Sequence, residues 1–338
     1  MKLIIQIPCY NEENSLPITI AALPKKVPGF DRVEVLIIDD GSTDRTVEVA
    51  RSLGVHHIVR QVGNKGLARG FMAGLRAGIQ AGADVIVNTD ADNQYDARDI
   101  ETITRPVLEG KAEIVIGGRP ILKTAHWSPI KKFLQLLGSW AVRVASRTDV
   151  ADAPSGFRAF SRHAAMKMQV FNEYTYTLET IIQAGQKGLS ILSVPIRTNE
   201  DMRPSRLVKS ISSYVRRSLM TIVRIFIVYR PLRFFAGVGG VLFGTGFVLG
   251  LRFLSHYIDG TGRGHTQSLI LASLLMIMGF VSLMAGVLAD LTAVNRKLLE
   301  DISFRLWQVE DKAALKATAL AESLERVAPE VGQGLGKS

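Results

Sequence analysis

Cysteine is almost absent: Cys9 is the only one in 338 residues. No intrachain disulfide can form, and no metal cluster can be built on several cysteines of one chain. Charge is missing from two stretches, residues 234–251 and 269–289. A membrane-spanning helix needs about 20 apolar residues, within a range of about 17–25. The second stretch meets this easily and the first lies near the short end. Soluble helices rarely lack a polar face for so long, which argues against a pair of buried core helices. Acidic residues are missing from 203–233, where Arg203, Arg206, Lys209, Arg216, Arg217, Arg224, Arg230 and Arg233 fall. A secretory signal is also missing: the apolar start from Met1 to Pro8 is short and lacks a small-residue cleavage site. The N-terminal part is therefore expected in the cytoplasm.

What is present begins with a basic excess. Lys plus Arg is 41 against 31 for Asp plus Glu, a formal net charge of +10. That balance points to anionic partners: nucleic acid, nucleotide phosphates or an acidic membrane face. The 47% hydrophobic content excludes global disorder and collagen-like repeats. Within the basic stretch, Leu207, Ile211, Val215, Ile222 and Phe226 recur near helical spacing. A basic amphipathic helix lying on a membrane surface has this pattern. Nucleic acid is not expected as a partner, because the basic cluster adjoins the apolar spans and no nucleic-acid-binding motif accompanies it.

The linker 255–267 carries Gly260, Gly262 and Gly264, so the two apolar stretches read as a hairpin. Arg224, Arg230 and Arg233 precede it, and Arg296, Lys297 and Arg305 follow it. By the positive-inside rule both chain ends face the cytoplasm. Gly237, Gly239, Gly240, Gly244, Gly246 and Gly250 would weaken a helix in water but permit close helix packing in lipid.

The first two hundred residues read differently. Short runs rich in Val and Ile lie at 3–7, 33–38, 85–89, 114–117 and 191–195. Helical patterns at 15–23, 46–53, 66–81 and 100–108 separate several of them. Strands alternating with helices imply an α/β fold with a doubly wound, mainly parallel sheet. Ligands of such sheets bind at the carboxyl ends of the strands. The polar clusters fall there: Cys9-Tyr10-Asn11-Glu12, Asp39-Asp40-Gly41-Ser42 and Asp90-Ala91-Asp92-Asn93-Gln94. A lone strand-end Asp is often a helix N-cap, but Ser42, Thr43 or Asp44 can fill that role for the helix at Thr46. On an extended segment residues i and i+2 share a face, so Asp90 and Asp92 can point into one cleft. Two carboxylates with open positions suit Mg²⁺ or Mn²⁺ that also binds phosphate oxygens. Asn64-Lys65-Gly66 opens a helix, where backbone N–H groups favour anions.

Taken together, Pro8-Cys9-Tyr10-Asn11-Glu12, Asp39-Asp40-Gly41-Ser42-Thr43-Asp44, Asn64-Lys65-Gly66, Asp90-Ala91-Asp92, Gly117-Gly118-Arg119 and Ser155-Gly156-Phe157-Arg158 resemble the family-2 glycosyltransferases of the GT-A fold. The resemblance is to dolichol-phosphate mannosyltransferase and the bacterial polyprenyl-phosphate glycosyltransferases, and covers about residues 1–210. It implies metal-dependent, inverting transfer of a sugar from a UDP- or GDP-linked donor to a polyprenyl phosphate. It implies that Pro8, Tyr10, Asn11, Glu12, Asp39, Asp40, Asn64, Lys65, Gly66, Asp90 and Ala91 bind the donor nucleotide. Asp90, Asp92 and Gln94 would hold the Mg²⁺ or Mn²⁺. Asp92 and Arg119 would be catalytic, and Arg119, Ser155, Arg158, Arg203 and Arg206 would meet phosphates of the donor or the lipid acceptor. Some relatives have Gly-Asp-Phe where this chain has Ser155-Gly156-Phe157, so the base candidate of those relatives is missing; Asp152 nearby reads as a positioning group.

The expected organisation is then a cytoplasmic GT-A catalytic domain at 1–206, a basic amphipathic juxtamembrane segment at 207–232, and transmembrane helices at 233–254 and 268–290. A cytoplasmic helix at 291–327 and a tail at 328–338 follow. The expected location is the inner or plasma membrane of a prokaryote, with a homo-oligomer left open. A processive polysaccharide synthase on the same fold is the first alternative. It is disfavoured because Gln-x-x-Arg-Trp is missing and only two spans are present. The other alternative is a non-enzymatic membrane protein with a degenerate sugar-nucleotide domain, which loss of Asp92 would have favoured; Asp92 is present.

Overall fold

The structure, a computed structural model, describes residues 1–120, 129–146, 148–170, 176–199, 216, 220, 223–224 and 227–334. Arg203, Arg206 and most of the basic segment 207–232 lie outside the described residues. The chain forms two compact units: residues 1–209 with 300–338, and residues 210–299.

The first unit is built on a seven-stranded sheet ordered β3-β2-β1-β4-β6-β5-β7. The strands are β1 (Lys2–Cys9), β2 (Arg32–Asp39), β3 (His57–Arg60), β4 (Val85–Asn88), β5 (Ile114–Gly118), β6 (Arg158–Ser161) and β7 (Ile191–Pro195). All neighbours run parallel except β6, which is antiparallel to both β4 and β5. Leu3, Ile4, Ile5 and Ile7 of β1 are buried on both faces. A strand covered on both sides reads as a continuous apolar run, which is why β1 is legible in the sequence. β3 and β6 are not. Their four residues include His57, Arg60, Arg158 and Ser161, and carry no apolar run.

Helices α1 (Leu16–Ala22), α2 (Thr46–Ser52), α3 (Leu67–Gln80), α4 (Ile100–Leu108), α5 (Pro129–Ser146), α6 (Arg162–Lys167) and α7 (Thr177–Gln186) complete the layers. α3 lies unusually close to the sheet. A Cβ at Gly74 would sit 2.5 Å from Gln6 Oε1 and 2.8 Å from Ile38 Cδ1, and one at Gly78 would sit 2.8 Å from Ile86 Cδ1. The glycines thus bring the helix backbone down onto β1, β2 and β4. Phe71 of α3 then stacks on Tyr176 at 3.9 Å between ring centroids and tilts against Phe160 at 5.6 Å.

Residues 300–311 of the long helix α9 (Thr266–Gly334) belong to this unit, although the sequence suggested a separate cytoplasmic helix. Positions 300, 304, 307 and 311 share one helical face. Glu300 pairs with Lys187 at 3.0 Å. Phe304 meets His163 edge-on and Lys167 through its ring face. Trp307 lies under the Arg76 guanidinium at 5.0 Å. Asp311 pairs with Arg162, which also donates to Ala83 O and Ile79 O. The helix continues through Val327 to Gly334, where the sequence suggested a tail.

The second unit contains α8 (Pro231–Ile258) and the start of α9, two helices long and apolar enough to cross a membrane. Glycines set their contact: a Cβ at Gly239 would fall 2.7 Å from Gly279 O, and one at Gly246 would fall 2.7 Å from Ala272 O. Ser282 Oγ donates to Phe235 O at 3.1 Å across the pair. Small residues allow backbones to approach in lipid, where apolar burial gives no drive to associate.

The Arg162 contacts predict an order of stability losses. Asp311→Asn should lower the thermal midpoint of the full chain by a few degrees, equivalent to about 1–3 kcal/mol for breaking a part-buried pair. Arg162→Ala should cost more, because it also strips the partner from two backbone carbonyls. Thermal unfolding of both variants in detergent checks that order.

Candidate active site

The polar clusters at the strand ends separate into two groups. The first is formed by the ends of β1 and β2 and by the start of α3. Asp40 accepts from Lys65 N at 2.8 Å and from Gly66 N at 2.9 Å. Its charge therefore caps the start of α3, a helix end where an anion is favoured. Asn64 and Lys65 are exposed, and Gly66 has φ +88°, which suits glycine. Asn11, also at positive φ, accepts from Thr43 N at 2.8 Å, while its own N–H donates to Ser42 Oγ at 2.9 Å. Glu12 is buried and accepts from Ser15 Oγ at 2.6 Å. Pro8 is half-buried and Tyr10 is exposed beside them.

Asp39 differs from its neighbour. It is fully buried, and Oδ1 accepts from Ser42 N at 2.9 Å. Oδ2 has no hydrogen-bond partner and lies 3.4 Å from Arg60 Nε. A buried carboxylate oxygen without a donor is costly. It is a ready acceptor for a ligand N–H.

The second group gathers the ends of β4 and β5 and the start of β6. Because β6 runs antiparallel, its first residue lies at the same end of the sheet as the carboxyl ends of β4 and β5. Asp90, Asp92, Arg119 and the segment Ser155-Gly156-Phe157-Arg158 therefore meet there. Asp90 is half-buried, and its burial and the Asp92 charge push its carboxyl up to about 7. Gln94 N donates to Asp92 Oδ1 at 3.2 Å, and Thr19 Oγ1 donates to Ala91 O at 2.8 Å, which fixes the loop. Arg119 donates from Nε and Nη2 to the buried Asp152 at 2.7 and 3.1 Å. Burial works against the Arg119 charge, and the anions around it outweigh that and hold it firmly protonated. Ser155 Oγ is buried without a hydrogen-bond partner.

Arg158 corrects the sequence reading. It is fully buried and donates to Ser155 O at 2.8 Å, Thr177 O at 2.8 Å, Thr180 Oγ1 at 2.6 Å and Ala153 O at 2.6 Å. Burial pushes it down to about 10, which still leaves a cation at neutral pH. With its donors turned to the protein, it shapes the 153–158 segment and is not placed to receive an incoming phosphate. Arg203 and Arg206 lie outside the described residues.

Sequence reasoning missed three side chains. Asn88 donates to Gly156 O at 2.9 Å and to Tyr176 Oη at 2.8 Å, and accepts from Gln6 Nε2 at 2.9 Å. Tyr95 Oη accepts from Gly156 N at 2.9 Å. Tyr176 comes from α7's N-cap, 20 residues away in sequence. No spacing rule links these positions; the sheet register does.

The residues fit a divalent cation. Among the described residues no three histidine, cysteine or carboxylate side chains converge. The protein thus offers the Asp90 and Asp92 carboxylates, with Gln94 two residues on, whose backbone N–H donates to Asp92 Oδ1. Mg²⁺ and Mn²⁺ bind in this way, through one or two carboxylates plus substrate oxygens.

The sequence model of the family described as Glycosyl transferase family 2 matches residues 4–175. The undecaprenyl-phosphate mannosyltransferase of Micrococcus luteus is 29% identical over 206 residues, covering 58% of this chain and 83% of that protein. The polyprenol monophosphomannose synthase of Mycolicibacterium smegmatis is 25% identical over 230 residues, covering 65% and 84%. Among solved structures, glucosyl-3-phosphoglycerate synthase from Mycobacterium tuberculosis in complex with Mn²⁺, UDP and phosphoglyceric acid matches with TM-score 0.51 and 19% identity. That match covers 65% of this chain and 78% of the other, and it shows the GT-A fold.

Two predictions follow from the site. Arg158→Met should cost about 3–5 kcal/mol, since it strips a buried cation from the carbonyls of Ala153, Ser155 and Thr177; denaturant unfolding measures it. The raised Asp90 carboxyl holds its proton in the folded state to higher pH than in the unfolded chain. Without cation, the wild type should therefore lose stability as pH rises from about 4 to about 7, and change little above that. The advantage of Asp90→Asn in thermal midpoint should grow across that window and then level off.

Proposed function

The chain belongs to glycosyl transferase family 2, and on that premise we propose that it transfers a sugar from a nucleotide sugar to the phosphate of a membrane polyprenyl phosphate, with a divalent cation and inversion at the anomeric carbon. It is a glycosyltransferase, with homologues named as polyprenyl-phosphate mannosyltransferases. The observation that carries the finer reading is the meeting of Asp90 and Asp92 with Arg119, itself held by Asp152. A nucleoside diphosphate and its cation need both signs of charge side by side, and this site supplies them.

The roles follow from the geometry. Asp39 Oδ2, buried and without a hydrogen bond, accepts an N–H of the base. Asp40 supports the pocket by holding the start of α3. Asp90, Asp92 and Gln94 hold the cation. Bound there, the cation offsets the charge that develops on the leaving diphosphate. Arg119 faces the same charge, and its pairing with Asp152 removes the cost of orienting a long side chain during the reaction. Ser155 Oγ is a further free group for a phosphate oxygen. The nucleophile is a phosphate oxygen. A phosphate monoester with a second pKa near about 6 is largely dianionic at neutral pH, so a strong protein base is not needed.

The acceptor's lipid tail gives a reason for α5. Its Ser139, Val142 and Ser146 are buried, while Phe133, Leu136, Trp140 and Val144 are exposed on the other side. An outward apolar face with a Trp suits the headgroup boundary of a bilayer. The two apolar helices and the flanking Arg230, Arg233, Arg296 and Lys297 support a hairpin with both chain ends cytoplasmic. The glucosyl-3-phosphoglycerate synthase of similar fold, solved with Mn²⁺ and UDP, supports a divalent cation and a nucleotide donor.

Incubating the detergent-purified chain with polyprenyl phosphate, Mn²⁺ and a panel of UDP- and GDP-sugars tests the reading by mass spectrometry of the lipid. One donor should yield a sugar-bearing lipid phosphate, and Asp92→Asn should cut the rate by ~100-fold or more with the fold intact. Product formation unchanged by chelators, or no product from any donor while nucleotide still binds, would sink the proposal.

A further inference from the structure

Residues 300–311 of α9 have two faces. Glu300, Phe304, Trp307 and Asp311 are held against α3, α6 and α7 of the catalytic unit or the residues beside them. A helix docked on one side is ordinarily polar on the other. Here Ile302, Leu306 and Val309, about half a turn round the helix, are 54%, 58% and 66% exposed. Ala313, next at the same spacing, is exposed as well. We propose that this stripe joins copies of the chain, packing α9 against α9 in a parallel coiled coil.

The pattern carries its own partner. Ile302, Leu306, Val309 and Ala313 are spaced by 4, 3 and 4 residues, which is a heptad seam with Leu306 and Ala313 at a and Ile302 and Val309 at d. Glu300, Phe304, Trp307 and Asp311 then fall at b and f, the outer side of a coiled coil. The same helix can therefore face its catalytic unit and its copies at once. Arg305 falls at g and Glu310 at the following e, and both are exposed. These positions meet across a parallel seam, so Arg305 of one copy faces Glu310 of the next. Arg305 also pairs with Asp301 of its own helix at 3.0 Å, a surface contact weak enough to be shared. Copies anchored by the hairpin enter the membrane in one orientation, so their α9 helices run parallel; this step rests on the hairpin reading given above. Anchoring also holds the copies together at high effective concentration, which offsets the shortness of the seam.

A bilayer surface fits the stripe less well. Helices that lie on membranes border their apolar face with Lys and Arg, whereas Asp301 and Glu310 flank this one. α9 is continuous from Thr266 to Gly334. At about 1.5 Å per residue, Ile302 lies ~18 Å along it from Asp290, where the charge-free stretch ends. Headgroups reach only about 5–8 Å beyond the hydrocarbon on each side.

The test is disulfide cross-linking of the full chain in phosphatidylcholine vesicles. Cys9 is buried and is the only native cysteine, so one added thiol reports on one position. Val309→Cys should form a covalent dimer on oxidation, because each d residue of a parallel seam meets its own copy. Asp301→Cys, exposed and outside the seam, should yield ~10-fold less, since a disulfide does not bridge Cα atoms more than about 7 Å apart. Leu306→Glu, added to Val309→Cys, should abolish the cross-link; Leu306 points away from Phe304 and Trp307, so the docked face is kept. Arg305→Glu should lower the Val309→Cys yield by setting like charges against Glu310, and adding Glu310→Arg should restore it. Equal yields at positions 309 and 301 overturn the inference, as does a cross-link at 309 that survives Leu306→Glu. Where Leu306→Glu also lowers the thermal midpoint, the charge pair decides, and a double swap that fails to restore the yield overturns the inference. Cross-linking needs no substrate, so its failure and the failure of the transferase reading are separate results.

Discussion

Arg158 carries its charge where water does not reach, and the site is arranged around satisfying it. Its four acceptors are three backbone carbonyls and one hydroxyl from segments far apart in sequence: Ala153 and Ser155 on one side, Thr177 and Thr180 of α7 on the other. A buried cation that lost these partners would be far costlier than any apolar residue in its place. The 153–158 segment must therefore bend around the guanidinium, and α7 must start where its first turn can face it. That bend puts Gly156 between Asn88, Tyr95 and Tyr176, next to Asp90. No side chain fits there: a Cβ on Gly156 would lie 3.0 Å from Asp90 Oδ2 and 3.1 Å from Tyr176 Oη.

The carboxylates at the strand ends divide into those the fold uses and those it leaves for a ligand. Asp40 is used, because its two oxygens receive the N–H groups of Lys65 and Gly66 just before α3. Asp152 is used too, as the partner that keeps Arg119 extended and charged. Asp39 keeps one oxygen without a hydrogen bond, and Asp90 keeps a carboxyl pushed up by burial and by Asp92. Both carboxylates are thus unfavourably placed in the protein by themselves, at the positions where the proposed base and cation would relieve them. This is the physical content of preorganisation: the cost is built into the fold and is not met at the moment of reaction.

Apolar surface is handled differently in the two units. In the pair of long apolar helices, glycines on both let backbones touch, a device suited to lipid, which offers no drive for larger side chains to bury one another. In the catalytic unit, α3 uses the same device against a sheet, with Gly74 and Gly78 over Gln6, Ile38 and Ile86. α5 does the reverse at several positions: Phe133, Leu136, Trp140 and Val144 are exposed while Ser139 and Ser146 are buried. Such an inversion is unfavourable in water alone and is what the proposed membrane acceptor would call for.

The sequence alone determined the parts that depend on local composition. The runs at β1, β2, β4, β5 and β7, the two charge-free stretches and the acidic strand ends were legible, because continuous apolar burial and carboxylate spacing are written in consecutive residues. The family followed from motifs in order along the chain. Tertiary structure decided what depends on partners distant in sequence. β6 was hidden because a strand of Arg, Ala, Phe and Ser shows no apolar run, and its reversed direction is set by β4 and β5. Arg158 looked like a phosphate ligand because its motif names the residue and not the carbonyls that surround it. Tyr95 and Asn88 carried no signal, since their roles arise only when Gly156 is brought across the sheet to meet them. A cation's function, here as in any fold, is set by which acceptors reach it first, and chain folding alone decides that.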